Sequence, residues 1–136
     1  MSGLLHRRVA TGADLDRVLA EGRAVGRFDE SEIKAVFGAS AERWTGEIAG
    51  EFAGCWGVLA PSVMHPGQLW MVGTPVVEKH KLVFFRHARA WVSEALGRYG
   101  ALGGFVEAGC PQRWLELMGF RLSPEEDGVR RFEAWL

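Results

Sequence analysis

Residues 69–120 constrain the fold more than any other part of the chain: LWMVGTPVVEKHKLVFFRHARAWVSEALGRYGALGGFVEAGCPQRWLELMGF. Leu69 to Val72 is a continuous apolar run closed by Gly73, Thr74 and Pro75, the pattern of a buried strand ending in a turn. From about Lys81 to Tyr99, the large residues Leu82, Phe85, Val92, Leu96 and Tyr99 recur at steps of three, four and seven, which predicts an amphipathic helix. Gly97 and Gly100 are expected to break it, and Ala101 to Val106 returns to extended chain. Pro111 suits the first turn of a further helix, Trp114, Leu115 and Met118 give that helix an apolar face, and Gly119 stops it. A strand–helix–strand unit of this length predicts a parallel pair joined by a right-handed crossover. A ligand of such a unit belongs at the carboxyl ends of the strands, here near Thr74 and Glu107.

The remaining segments add strands and helices around that unit. Leu4 to Val9 reads as a first strand, and Thr11 as the cap of a helix that carries Leu15, Val18 and Leu19 to about Glu21. Asp14 falls in that helix's positive first turn. Gly22 and Gly26 mark a loop, and Asp29 or Ser31 caps a second helix with Ile33, Val36 and Phe37. Trp44–Ile48 and Glu51–Leu59 alternate around Ala49-Gly50, a hairpin signal. Ala60 to Gln68 is a loop, Arg121-Leu122 opens a final hairpin, and Val129 to Leu136 closes it after the turn at 124–128. The order predicts one α/β (α+β) domain over residues 1–136, a mixed sheet of about six to seven strands with helices on both faces.

Composition narrows the function classes. A chain of 136 residues buries a core without staples. Its net charge of −1, with Lys and Arg dispersed, argues against duplex nucleic acid as a partner. No apolar run reaches the ~20 residues of a membrane span, and no hydrophobic leader precedes Asp14, so no signal peptide is expected. Cys55 and Cys110 are too few for a disulfide framework and read as reduced thiols, although an adjacent pair could bond. No metal-ligand spacing is visible. The six tryptophans, Trp56 and Trp70 among them, read first as core.

With Leu69–Val72 opening into the long helix, and Phe105-Val-Glu-Ala108 leading to Arg113-Trp-Leu-Glu-Leu-Met-Gly-Phe120, the chain resembles the GNAT (Gcn5-related N-acetyltransferase) fold from about Trp44 onward. More narrowly, Leu69-Trp-Met-Val-Gly-Thr74, Phe85-Arg86, Arg113-Trp-Leu115 and Gly119-Phe120 resemble a GNAT-like group encoded by tailed phages and related to internal virion proteins of short-tailed phages. The resemblance implies acetyl-CoA as cofactor and an amine as acceptor. It also implies a location in the host cytoplasm or the virion. The family usually carries Arg/Gln-x-x-Gly-x-Gly/Ala before the long helix, where backbone amides hold a pyrophosphate. Here that position reads Val76-Val-Glu-Lys-His-Lys-Leu82, without glycine, and the frequent tyrosine acid is absent because Tyr99 closes the long helix. The rival reading is therefore a non-enzymatic virion or assembly protein that keeps the fold, with Phe132 and Trp135 as an exposed surface and other virion proteins as partners. A homo-oligomer fits either reading.

Candidate site residues follow from the two strand ends. Val72, Gly73 and Thr74 would line the place of an acyl thioester, and Thr74 reads equally as a turn residue before proline. Lys79, His80 and Lys81 are expected at the amino end of the long helix, where cations oppose the helix dipole unless an anion binds. There they replace the glycine loop or, beside Glu78, are plain surface charge. Among Glu47, Glu51 and Glu107, Glu107 is the first choice for a general base, its plain alternative being a surface carboxylate at a strand end. His65 and His87 have no partner at motif spacing, and Cys110 has no His or acid at a spacing that would make it a nucleophile.

Overall fold

The computed structural model describes residues 5–25, 29–63, 65–107 and 113–136, with the backbone alone at 23–25. Leu4, Gly26, Ala108, Gly109, Cys110 and Pro111 lie outside the described residues.

The chain opens with β1 (Leu5–Val9) and α1 (Gly12–Glu21). Thr11 caps α1 reciprocally: its hydroxyl accepts the Asp14 N–H at 3.3 Å, and Asp14 Oδ2 accepts the Thr11 N–H at 2.8 Å. β2 (Arg23–Val25) follows, then α2 (Glu30–Ala39), capped by Asp29, whose Oδ1 accepts the Glu32 N–H at 2.8 Å. β3 (Glu42–Ile48) and β4 (Glu51–Leu59) form the expected hairpin, with Ala49 and Gly50 at φ 53° and 78°. Next come β5 (Gly67–Gly73), α3 (Pro75–Lys79), α4 (Lys81–Tyr99) and β6 (Ala101–Glu107). α5 (Arg113–Leu117), β7 (Arg121–Leu122) and β8 (Val129–Trp135) complete the described chain.

Among the described residues, eight strands form one sheet in the order β1-β3-β4-β5-β6-β8-β7, with β2 added to β5. The sequence predicts six to seven strands. The extra one is β2, which reads as loop because its pairing depends on a β5 edge that no local pattern reveals. All pairs are antiparallel except β5–β6, the predicted parallel crossover.

The sheet separates two cores. On one face α1 and α2 bury Leu15, Val18, Ile33 and Phe37 against Phe52, Cys55, Trp70 and Val72. On the other, α4 and α5 bury Trp91, Val92, Ala95, Leu115 and Met118 against Trp56, Val58, Leu102, Val106 and Phe132. Trp56 and Trp70 are thus core, as expected. Phe132 is not the exposed residue that the sequence suggests: it packs edge-on against Phe120 at 5.0 Å, where Gly104 leaves room for its ring. Trp135 stays exposed. Gly97 does not break α4, because it points into open space, the buried Trp91, Val92 and Ala95 anchor the helix before it, and Tyr99, bonded to Glu42, anchors it after. Gly100, at φ 78°, ends it instead.

Candidate functional site

β5 and β6 are paired only at Gly67↔Leu102 and Gln68↔Gly103, after which they part. Their carboxyl ends, with Thr74 and Glu107, therefore diverge at one end of the sheet. β4 is distorted beside this opening. Its partner residues run from Gly46↔Gly54 to Glu47↔Phe52, so Ala53 is a bulge. Gly54 sits at φ 148°, and a Cβ there would lie 2.3 Å from the Val72 carbonyl oxygen. Only glycine lets the two backbones approach so closely.

Thr74 anchors the bulge to the next helix. Its N–H donates to Ala53 O at 2.9 Å, its hydroxyl donates to Phe52 O at 2.7 Å, and it accepts the Val76 N–H at 3.3 Å as the cap of α3. Thr74 is thus a turn residue before proline, buried at the strand end. Val72 is buried on the α1–α2 face, and Gly73 carries the backbone that pairs with Gly54.

The connection after Thr74 is the helix α3 rather than an extended link. Lys79 ends α3, His80 joins it to α4, and Lys81 begins α4. No side chain caps α4 at His80. Two of the three candidate phosphate ligands are engaged with one carboxylate: Lys79 Nζ lies 3.2 Å from Glu51 Oε1, and His80 Nε2 lies 3.4 Å from Glu51 Oε2. The Lys79 hydrogen bond and charge hold the Glu51 carboxyl below its ordinary range, with His80 adding to the effect. Lys81 is exposed.

Glu107 is exposed at the end of β6, on the face opposite Val106 and so opposite α4. β2 takes up part of the edge of β5 that β6 releases, through Arg23↔Gly73, Ala24↔Val72 and Val25↔Met71. Gly22 turns the chain into that position with its Cα against the Gly73 carbonyl, where a Cβ would lie 2.6 Å from the oxygen.

A cavity of about 280 Å³ lies between α4, α5 and the sheet. Trp56, Leu69 and Met71 form its floor, and Trp91, Trp114 and Met118 stand among its helical walls. Trp114 is therefore half-buried at a cavity wall, not fully packed as its helical phase suggests, whereas Leu115 and Phe120 are fully buried. Polar side chains cluster at one rim. There Arg7 meets Glu94 at 3.2 Å, and His87 Nε2 accepts the Leu5 N–H at 3.4 Å.

Sequence reasoning missed a densely bonded carboxylate. Glu42 accepts Trp44 Nε1 at 2.9 Å, Trp91 Nε1 at 3.2 Å, the Tyr99 hydroxyl at 2.6 Å and the Arg98 guanidinium at 2.8 and 3.0 Å. Burial alone would raise its carboxyl, but the bonds from Tyr99, Trp44 and Arg98 outweigh it and hold Glu42 below the usual range. The same contact, after burial, pushes the Tyr99 hydroxyl upward. This clamp ties the carboxyl end of α4 to β3 at the end of the sheet away from Thr74, so its role is structural. A second clamp lies on the α1 face. Asp14 is held well below the carboxylate range by Arg8 at 2.6 and 2.7 Å, against the opposing effect of burial. Behind it, burial pushes the Cys55 thiol up to about 11, which leaves it inert as a nucleophile. Among the described residues no group of three His, Cys, Asp or Glu side chains could hold a metal, and no helix is long and apolar enough to cross a membrane.

No family profile and no curated protein matches the sequence. Solved structures do match. An acetyltransferase from Bacillus subtilis in complex with CoA aligns with TM-score 0.70 at 12 % identity, over 98 % of each chain. An acetyltransferase from Agrobacterium tumefaciens aligns with TM-score 0.69 at 14 % identity, over 100 % of this chain and 93 % of the other. A chimera of the spermidine N-acetyltransferase from Vibrio cholerae gives TM-score 0.67 at 13 % identity, over 96 % and 95 %. With its strand order and the parting of β5 from β6, the chain has the GNAT fold.

Proposed function

We propose that the protein is an acyl-CoA-dependent N-acyltransferase. The observation that carries this reading is the opening left where β6 leaves β5, beside the uncapped first turn of α4. A thioester arm enters the opening at Thr74, beyond the Val72 and Gly73 backbone that β2 already pairs, with the diphosphate at the amides of the α4 first turn and Lys79, His80 and Lys81 around it. A 19-residue helix supplies a full macrodipole to that end. Glu107 at the end of β6 serves as base for the incoming amine, directly or through water. The amine nitrogen attacks the thioester carbonyl carbon, the C–N bond forms and the C–S bond breaks. One proton passes from the amine to the departing CoA sulfur. Holding both substrates in the opening supplies much of the acceleration.

Isothermal titration with CoA at low salt tests the reading. Binding is expected to weaken as salt rises, and to fall by about 1–2 kcal/mol when Lys79 and Lys81 are both replaced by Gln. Glu51→Gln is expected to strengthen binding, since it releases Lys79 and His80 from their carboxylate. A folded protein that shows no signal at millimolar CoA would retire the enzyme. A phage-encoded virion or assembly component would then be the better reading, supported by the exposed Phe105 and Trp135 on the face of β6 and β8 turned away from α4.

A further inference from the structure

We infer that the acyl group of the donor is a medium-length apolar chain, and that it lies in the cavity beneath α4. The inference rests on the N-acyltransferase reading and adds to it the chemical class of the donor. Position comes first. Leu69 and Met71, which floor the cavity, are β5 residues just past the last β5–β6 pair at Gln68↔Gly103. The cavity reaches Phe132 of β8, beyond β6, and no β6 side chain lines it. It therefore runs past the point where the two strands part, on the α4–α5 face of the opening.

Chemistry comes second. Trp56, Trp91 and Trp114 with Met71 and Met118 make a wall of rings and thioethers, surfaces that adapt to a flexible hydrocarbon. Charge is confined to the Arg7–Glu94 rim, which limits how far an apolar chain can extend. Size comes third. An apolar cavity of about 150 Å³ accepts a benzene ring. A volume of about 280 Å³ thus takes a chain of roughly eight to ten carbons by the same scale. The two carbons of an acetyl group would leave most of the lining without contacts. In the transfer step the chain stays seated while its carbonyl carbon exchanges sulfur for the amine nitrogen, with one proton passing to the thiolate.

Titrations with CoA, acetyl-CoA and octanoyl-CoA under one salt condition test the proposal. Each buried methylene is worth about fourfold in affinity, so octanoyl-CoA is expected to bind at least tenfold tighter than acetyl-CoA. Tryptophan fluorescence should shift with octanoyl-CoA and little with acetyl-CoA, because four of the lining residues are tryptophans. Ala88→Phe, which places a ring in the cavity, should bring the octanoyl-to-acetyl affinity ratio close to one. Ala88→Leu serves the same purpose if the larger ring prevents folding. Equal binding of all three ligands overturns the proposal and leaves the acyltransferase reading intact. An octanoyl advantage that survives both Ala88 variants also overturns it, since the chain then lies elsewhere. Binding of none of the three removes the acyltransferase reading and the proposal together.

Discussion

A single side chain holds the carboxyl end of α4, whereas no side chain caps its amino end. At its carboxyl end Glu42 gathers donors from Trp44, Trp91, Arg98 and Tyr99. Glu42→Gln keeps one acceptor oxygen but turns an amide N–H₂ toward the same donors. We expect a loss of about 2–3 kcal/mol at pH 7 in denaturant unfolding, the scale of hydrogen bonds to a charged group. The sign of the pH dependence follows from the lowered carboxyl. Its contribution is complete above the unfolded value of about 4.3 and disappears as pH falls through the folded one. The difference between Glu42→Gln and the parent should therefore narrow in acid. Asp14, lowered strongly from a lower ordinary value, acts further into acid, and Asp14→Asn should flatten the acid limb of the parent's stability curve. Neither clamp is legible in the sequence. Glu42 lies 49 and 57 residues from Trp91 and Tyr99, and no local spacing links them.

At the scale of elements, what repeats along the chain is legible and what depends on approach between strands is not. The β5–α4–β6 crossover, the hairpin at Ala49-Gly50 and the stop at Gly119 follow from period and turn chemistry, and the structure bears them out. β2 and the Ala53 bulge do not, because each exists through partners on another strand, whereas α3 rests on local signals, the Thr74 cap and Pro75 in its first turn. Thr74 was visible as a strand end, whereas its bonds to Phe52 and Ala53 needed the bulge. The bulge makes a firm prediction. Gly54→Ala puts a Cβ against the Val72 carbonyl at a positive φ, and should cost about 2–4 kcal/mol. Its thermal melt should drop well below that of Gly50→Ala, where no atom lies within 4 Å of the added carbon. In α5, Leu115→Ala should cost about 2–5 kcal/mol as a core truncation. Trp114→Ala, at a cavity wall, should cost less than Leu115→Ala in the same unfolding assay. The reverse order would place Trp114 in the core after all.

Across the whole molecule, the two-residue seam between β5 and β6 divides the sheet unequally. The half with β1, β3, β4 and β5 has helices on both faces: α1 and α2 on one, α4 on the other. The half with β6, β8 and β7 shares the α4–α5 core but has no buried cluster on its second face among the described residues, and Phe105 and Trp135 are exposed there. Protection against amide hydrogen exchange follows local packing rather than strand length. β8 and β6 should therefore exchange through a partial opening, at a free energy below that for β4 and the β4-paired amides of β5. Such an opening would release the carboxyl-terminal hairpin while β1, β3, β4 and β5 stay paired. It would also undo the seam bonds at Gly67–Gln68, so whichever of these two amides points toward β6 should exchange with the smaller half although it belongs to a central strand. The parting of two strands where we propose that the donor binds is also the line along which the protein first comes apart.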